Sequence, residues 1–489
     1  MNEEKTLEGV TPQQVPRRGS SEANRVLLVL TGVALLVNYV ETMVIPGVPT
    51  IQKDLATTAT IASWITSSYL IVGSAVSPLF GKLGDIYGKK RMFLVSLVFY
   101  MAGVGLAGFS PSIYFLIFAR ALQGVGFAII PLGLAIITEV FPRERVAQAQ
   151  GIISGTFAIG AALGLIIGSY VVQDLGWQYA FHTALILSLV LFAVVARVLQ
   201  KDITAAVKKR IDYAGAGILM AGVTLLLVYV TEGPSLGWLS SEEIAFIVPG
   251  AALIFLFFVV ENRIENPLMR LALLRVRNVL VANLVGMVSS MIMFLLFFAA
   301  VYYSQLPPGF GLNLNVVTAG LTLAPSTLGM LLGGVVTGRI LPRLGPKPIL
   351  LSGSGVMALG LVLFILNRST STIIAIDMFV TLTGLVAILV PIVNLLAISL
   401  PRESIAVGLG MNTLLRNLGG AIGPVVATTI MATYTAPFVQ KINGVSVTLG
   451  QLPSSTAFTI IFSLGIVLTL LVAAISLATK NYTFPKKSA

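Results

Sequence analysis

The stretch "GKLGDIYGKKRMFL", residues 81–94, has a second, altered copy in the chain: "GRILPRLGPKPILL", residues 338–351. Gly81 answers Gly338, Lys82 answers Arg339, Gly88 answers Gly345 and Lys90 answers Lys347, all at a shift of 257 residues. The correspondence continues downstream. "GVGFAIIP" at 124–131 aligns with "GLVAILVP" at 384–391, and "FPRER" at 141–145 with "LPRES" at 400–404. Gly151, Gly160 and Gly164 then align with Gly410, Gly419 and Gly423. Four matches in one order, with basic residues aligning as well as glycines, read as an internal duplication, an architecture common among transporters.

Each copy is embedded in apolar sequence. Of 489 residues 56% are hydrophobic and 10% charged, against about 25% charged in soluble domains. Runs long enough to cross a bilayer recur at about 26–50, 61–81, 92–109, 112–139, 148–172, 179–198, 212–231, 243–260, 279–303, 316–341, 349–366, 372–399, 405–434 and 456–479. Fourteen spans put both ends of the chain on one side. The net charge of +12 is then a topology signal and not a nucleic-acid surface. With the ends inside, even-numbered connections and tails hold 26 of the 31 Lys and Arg, the outer loops hold Lys53, Arg368 and Lys441, and Arg120 and Arg416 fall within runs. That bias predicts cytoplasmic termini. The polar start of the chain lacks the pattern of a cleaved signal peptide, so the first run is expected to stay in the mature protein.

Six spans with short loops need about 200 residues at membrane-crossing length, so the longer shift leaves room for two spans without a counterpart, at 212–231 and 243–260. The expected fold is an all-α polytopic membrane protein of two six-helix halves plus two inserted helices. The expected division is a cytoplasmic tail at 1–24, an N-terminal half at 25–200, a linker with the two extra spans at 201–277, a C-terminal half at 278–480 and a cytoplasmic tail at 481–489.

These motifs resemble the major facilitator superfamily. "GKLGDIYGKK" is similar to its loop signature between the second and third helices, and "RALQGVGFAIIP" (120–131) to its fourth-helix motif. "IDYAGAGILMAG" (211–222) and "GLGMNTLLRNLGGAIGP" (408–424) resemble the fourteen-span drug:proton antiporter branch. The resemblance covers about residues 26 to 479. It implies a monomer in the plasma membrane that works by alternating access, exports drug-like molecules and is driven by the proton gradient without a cofactor. It also implies that Arg120 takes part in proton coupling. Three positions depart from the pattern: Ile86 replaces a basic residue, Leu165 replaces the proline of a Gly-Pro pair associated with antiport, and Glu41 replaces an aspartate.

The embedded charges are the candidate machinery. Glu41 follows the boundary residue Arg25 by about 24 Å of helix, inside the hydrocarbon, where a charged carboxylate costs about 2.5–3.5 kcal/mol on insertion scales. An acid there can take up and release a proton as its surroundings change. Asn38, one turn back, can orient the carboxyl or contact substrate, and Tyr39 and Tyr69 are candidates to line a cavity. Arg120 needs a partner or water, and Asp377, one turn inside its run, is expected in a water-reached outer vestibule or as a second proton or cation site. Arg416 lies in a Gly-rich face and reads as structural. Gly81, Asp85, Gly88 and Lys89 are candidates for conformational gating, with Asp85 bonding a helix N-terminus or a base on the other half. Lys89, Lys90 and Arg91 suit anionic lipid headgroups.

Other chemistries are poorly supported. The chain has one His and no Cys, which leaves no transition-metal cluster to expect, and no phosphate-binding Gly-rich loop is present. The expected function is proton-coupled export of hydrophobic or cationic small molecules, with uptake symport or facilitated transport of a metabolite as the alternative. An enzyme is not expected.

Overall fold

Inside a bilayer the backbone must satisfy its own hydrogen bonds, so long apolar runs become helices. The computed structural model describes residues 20–199, 212–264, 267–442 and 445–482. Residues 1–19 of the first tail, most of the linker before the inserted spans and the end of the second tail lie outside the described residues, while residues 20–24 belong to the first helix. Fourteen helices are long and apolar enough to cross a membrane: α1 (Ser21–Asp54), α2 (Ala59–Tyr87), α3 (Lys89–Gly108), α4 (Ile113–Val140), α5 (Gln148–Asp174), α6 (Trp177–Val198), α7 (Tyr213–Leu236), α8 (Ser241–Glu261), α9 (Arg277–Gln305), α10 (Val316–Leu344), α11 (Pro346–Leu366), α12 (Ser371–Ser399), α13 (Val407–Thr433) and α14 (Ser455–Leu477). The side on which α1 begins and α14 ends is called the terminal face, and the opposite side the far face.

The duplication is visible in the packing. In the first half α1 packs on α5 and α6, α2 on α4, and α3 on α4 and α6. In the second half α9 packs on α13 and α14, α10 on α12, and α11 on α12 and α14. The halves meet where α2 lies on α13 and α5 on α10. Burial follows the same plan: 78% of the most apolar window is covered in α1 and α9, against 17% in α8. The inserted pair packs on itself, and α7 leans on both α2 and α13.

Local sequence breaks the helices where the site needs them broken. Pro46 turns α1 into a short 3-10 segment at Ile45–Gly47, since proline cannot supply an N–H. In α4, Val125–Ala128 is also 3-10. In α5, the stretch containing Leu165 where the family pattern has Gly-Pro is a π-helical turn, Gly164–Gly168, a feature frequent at functional sites. Gly88 ends α2 at φ +98°, a conformation that glycine adopts without the usual steric cost.

Close approach of α1 and α5 depends on Gly164. A Cβ there would stand 2.1 Å from Thr42 Oγ1 and 2.5 Å from the Tyr39 carbonyl. Gly164→Val is therefore expected to wedge the pair apart at a cost of about 1–3 kcal/mol or more. The thermal midpoint of the detergent-solubilised protein should fall clearly, while Gly151→Ala, where a Cβ meets nothing within 4 Å, should leave it within a degree or two. Equal midpoints for the two variants would refute this account.

One element was not foreseen. The far-face connection between α13 and α14 is an antiparallel hairpin, β1 (Thr435–Ile442) and β2 (Val445–Pro453), with a register slip between Phe438 and Val439. Phe438 meets Phe310 edge-on at 5.8 Å, which holds the hairpin to the α9–α10 connection.

Candidate transport site

Arg120 is the anchor. It sits on α4 and is fully buried. Its Nε donates to the Ile65 carbonyl at 3.0 Å and its Nη1 to Gln123 Oε1 at 2.7 Å. Its guanidinium lies 4.4 Å from the centre of the Tyr69 ring, a cation–π contact that strengthens when water is excluded. Tyr69 in turn stacks obliquely on Phe127 at 4.5 Å. Arg120 Nη2 and Tyr69 Oη have no hydrogen-bond partner, while the Gln123 side chain also reaches the Tyr100 hydroxyl.

Glu41 faces this cluster from α1. It is buried, at 8% exposure, and among the described residues no protein hydrogen bond or ion pair closes on its carboxyl. Two guanidiniums act on it electrostatically, Arg120 first and Arg416 second, and Tyr69 and Tyr100 lie within the same field. Arg416 comes from the other half. Its side chain passes Gly286 of α9, where a Cβ would meet Arg416 Cγ at 3.0 Å. Its Nε has no partner. The α13 turn after it meets α2: Ser67 Oγ donates to the Ala421 carbonyl at 2.7 Å, and a Cβ on Gly420 would touch Leu70 at 3.2 Å. A carboxyl on one half thus lies within the field of one arginine from each half.

The remaining candidates divide. Asn38 Nδ2 donates to the Ala34 carbonyl of its own helix at 2.7 Å, and its Cβ side is pressed on Gly160 of α5. Tyr39 engages Thr183 of α6. Asp377 is not brought to the cluster: it is 2% exposed, and its part of α12 is packed on Gly360 of α11. The expectation of a water-reached vestibule around Asp377 is therefore corrected. Its Oδ2 is buried without a partner, and no basic side chain among the described residues pairs with it. The glycines that bring α11 and α12 together close over the position that depth alone suggested was wet. At the loop motif, Lys89 Nζ pairs with Glu139 Oε1 at 2.6 Å, Lys82 Nζ donates to the Pro267 carbonyl at 2.9 Å, and Asp85 is exposed. A Cβ on Gly81 would meet nothing within 4 Å.

The structure adds Gln123, Tyr100 and Arg416 to the site. Gln123 was legible as lying one turn from Arg120 on the same face. Tyr100 carried no such signal, and Arg416 belonged to a packing face.

The described hydrogen bonds between the halves include three at their far-face ends. Tyr302 Oη donates to Gln52 Oε1 at 2.8 Å, Gln305 Nε2 to the Pro46 carbonyl at 2.8 Å, and the Val317 N–H to Gln173 Oε1 at 3.2 Å. Gly320 of α10 abuts the Leu165 carbonyl, 2.4 Å from a built Cβ. In the terminal-face parts of α5 and α10, by contrast, Gly151, Gly155, Gly334 and Gly338 face nothing within 4 Å of a built Cβ.

Two equivalent halves that enclose a buried polar cluster and are fastened together at one face define a membrane transporter. The profile of the Major Facilitator Superfamily matches residues 30–424, and the chain belongs to that superfamily of transporters, which are not enzymes and which bind small-molecule substrates. It is 27% identical over 396 residues to the multidrug transporter protein MdtP of Bacillus subtilis, covering 80% of this chain and 72% of the relative. It is 26% identical over 421 residues to the multidrug resistance protein Stp of Mycobacterium tuberculosis, covering 84% and 77%. Among solved structures it resembles the xylose transporter XylE from E. coli in a partially occluded inward open conformation, with 13% identity, a TM-score of 0.59 and coverage of 92% of this chain and 97% of that one. It also resembles the nucleoside transporter NupG, with 13% identity, a TM-score of 0.61 and coverage of 93% and 100%. These likenesses show the fold.

Proposed function

We propose that this chain is a proton-coupled secondary active transporter that exports hydrophobic small molecules, a multidrug-type efflux protein working by alternating access. It acts as a monomer in the plasma membrane with both ends cytoplasmic, and the proton gradient supplies its energy. The observation that carries this reading is Glu41: a buried carboxyl without a protein hydrogen bond, acted on electrostatically by Arg120 of its own half and Arg416 of the other. Ionised, it is attracted to both guanidiniums and draws the halves together around itself. Protonated, it releases them, so the proton biases an equilibrium between two arrangements of the halves. Asp85 and its loop gate the terminal side in this scheme, with Gly81, Gly88 and Lys89 shaping and anchoring the turn. The names of the two relatives support export of drug-like compounds.

A second reading, uptake by proton symport, is favoured by one observation. The site sets two guanidiniums against one carboxyl, so the cation in the expected substrate class fits it poorly. Inverted membrane vesicles separate the readings. Export predicts accumulation of a hydrophobic substrate inside the vesicles and alkalinisation of an acid interior when substrate is added. Loss of preloaded substrate together with protons would establish symport instead.

A further inference from the structure

The polar groups around Glu41 are mismatched in sign and in hydrogen-bonding sense. With Glu41 ionised, the guanidiniums of Arg120 and Arg416 leave one positive charge in excess, and with Glu41 protonated they leave two. Neither arginine forms an ion pair with a carboxylate among the described residues. The unpartnered groups have the same bias. Arg120 Nη2 and Arg416 Nε are buried donors with no acceptor. Against them stands the Tyr69 hydroxyl, which can accept as well as donate. A buried donor without a partner is costly, and an arginine fork matches a carboxylate-like group in two bonds at once.

We propose that the substrate group received here is an anion rich in acceptors, a carboxylate, phenolate or sulfonate carried on a hydrophobic body, and not a cation. This rests on the reading that the Glu41 cluster is the transport site. The anion takes the place of the Glu41 carboxylate as partner of the guanidiniums, with Arg416 from the second half and Arg120 from the first closing on it. A cation would meet an excess of like charge in a setting with little water to screen it. The arrangement also sets the sign of coupling. A proton on Glu41 removes the negative charge that competes with the anion, so proton and anion strengthen each other's binding, and the reciprocal effect follows by linkage. A substrate of this class therefore travels with the proton, as in the symport reading of the site, and export by exchange is left to neutral substrates.

The test uses the full-length protein in lipid nanodiscs and two probes that share one body, naphthylacetate and naphthylmethyl-trimethylammonium, with binding read by quenching of tryptophan fluorescence. The carboxylate probe is expected to bind at least about tenfold more tightly, a difference of about 1.4 kcal/mol. Its affinity should rise between pH 7.5 and 5.5 in the natural protein and lose that pH dependence in Glu41→Gln. Arg416→Gln should erase most of the preference, and Arg416→Lys, which keeps the charge without the fork, should restore part of it. Tighter binding of the ammonium probe, no binding of the carboxylate probe, or an unchanged preference in Arg416→Gln would overturn the proposal. If the proposal falls while proton-coupled flux of other compounds in liposomes still depends on Glu41, the transport site stands and only the substrate class is wrong. If that flux is indifferent to Glu41 as well, the site itself has been misread.

Discussion

Glu41→Gln is expected to abolish proton-driven transport, to the level of empty liposomes, while the protein still inserts, purifies and binds substrate. The amide keeps the size of the carboxyl but cannot give up or accept a proton in the relevant range. Folding should not suffer. The substitution removes a charge whose insertion costs about 2.5–3.5 kcal/mol on translocon scales, and no protein hydrogen bond or ion pair of Glu41 is lost. Loss of the attraction to Arg120 and Arg416 offsets that gain, so the variant should melt close to the natural protein. Counterflow of labelled substrate, which needs rocking but no net proton movement, should continue in it. Flux driven by a pH gradient that survives in Glu41→Gln would remove Glu41 from the coupling step. A variant that fails to insert would instead make it a structural group.

The second large effect concerns the far-face closure. Tyr302 of α9 and Gln52 of α1 touch at 2.8 Å across the halves, and the chain has no cysteine, so a cysteine pair can be introduced without a background. In Gln52→Cys/Tyr302→Cys, a short, cleavable bifunctional thiol reagent is expected to lock the far face and stop transport almost completely. Cleaving the reagent should restore it. The physical reason is that alternating access requires this face to part, and interfaces of this kind pass between discrete arrangements. Each single cysteine variant treated in the same way should remain active. Full transport by the cross-linked pair would mean that the halves do not separate there.

Much of this was legible in the sequence for a plain reason. Hydrophobic length determines a membrane helix almost alone, because the bilayer leaves the backbone no other way to satisfy its hydrogen bonds. The repeat of "GKLGDIYGKK" as "GRILPRLGPK" then pairs the halves. Glu41 and Arg120 stood out because a charge in an apolar run is costly enough to need a purpose. The hairpin at 435–453 was not legible, since alternation in a loop says little until Phe438 has Phe310 to lean on.

Depth along a helix is a property of sequence, but the face a residue presents, and to which neighbour, depends on how helices pack. Asp377 and Glu41 are both acids within apolar runs. Packing of α11 on α12 covers the first, while the meeting of α2 with α13 brings Arg416 toward the second. By itself, then, the sequence determined the number of spans, their order, the duplication and the presence of an embedded acid. Only the tertiary structure decided that this acid lies in the field of one arginine from each half, because those arginines lie 79 and 375 residues away along the chain and are brought near it by helix–helix packing that no local pattern encodes.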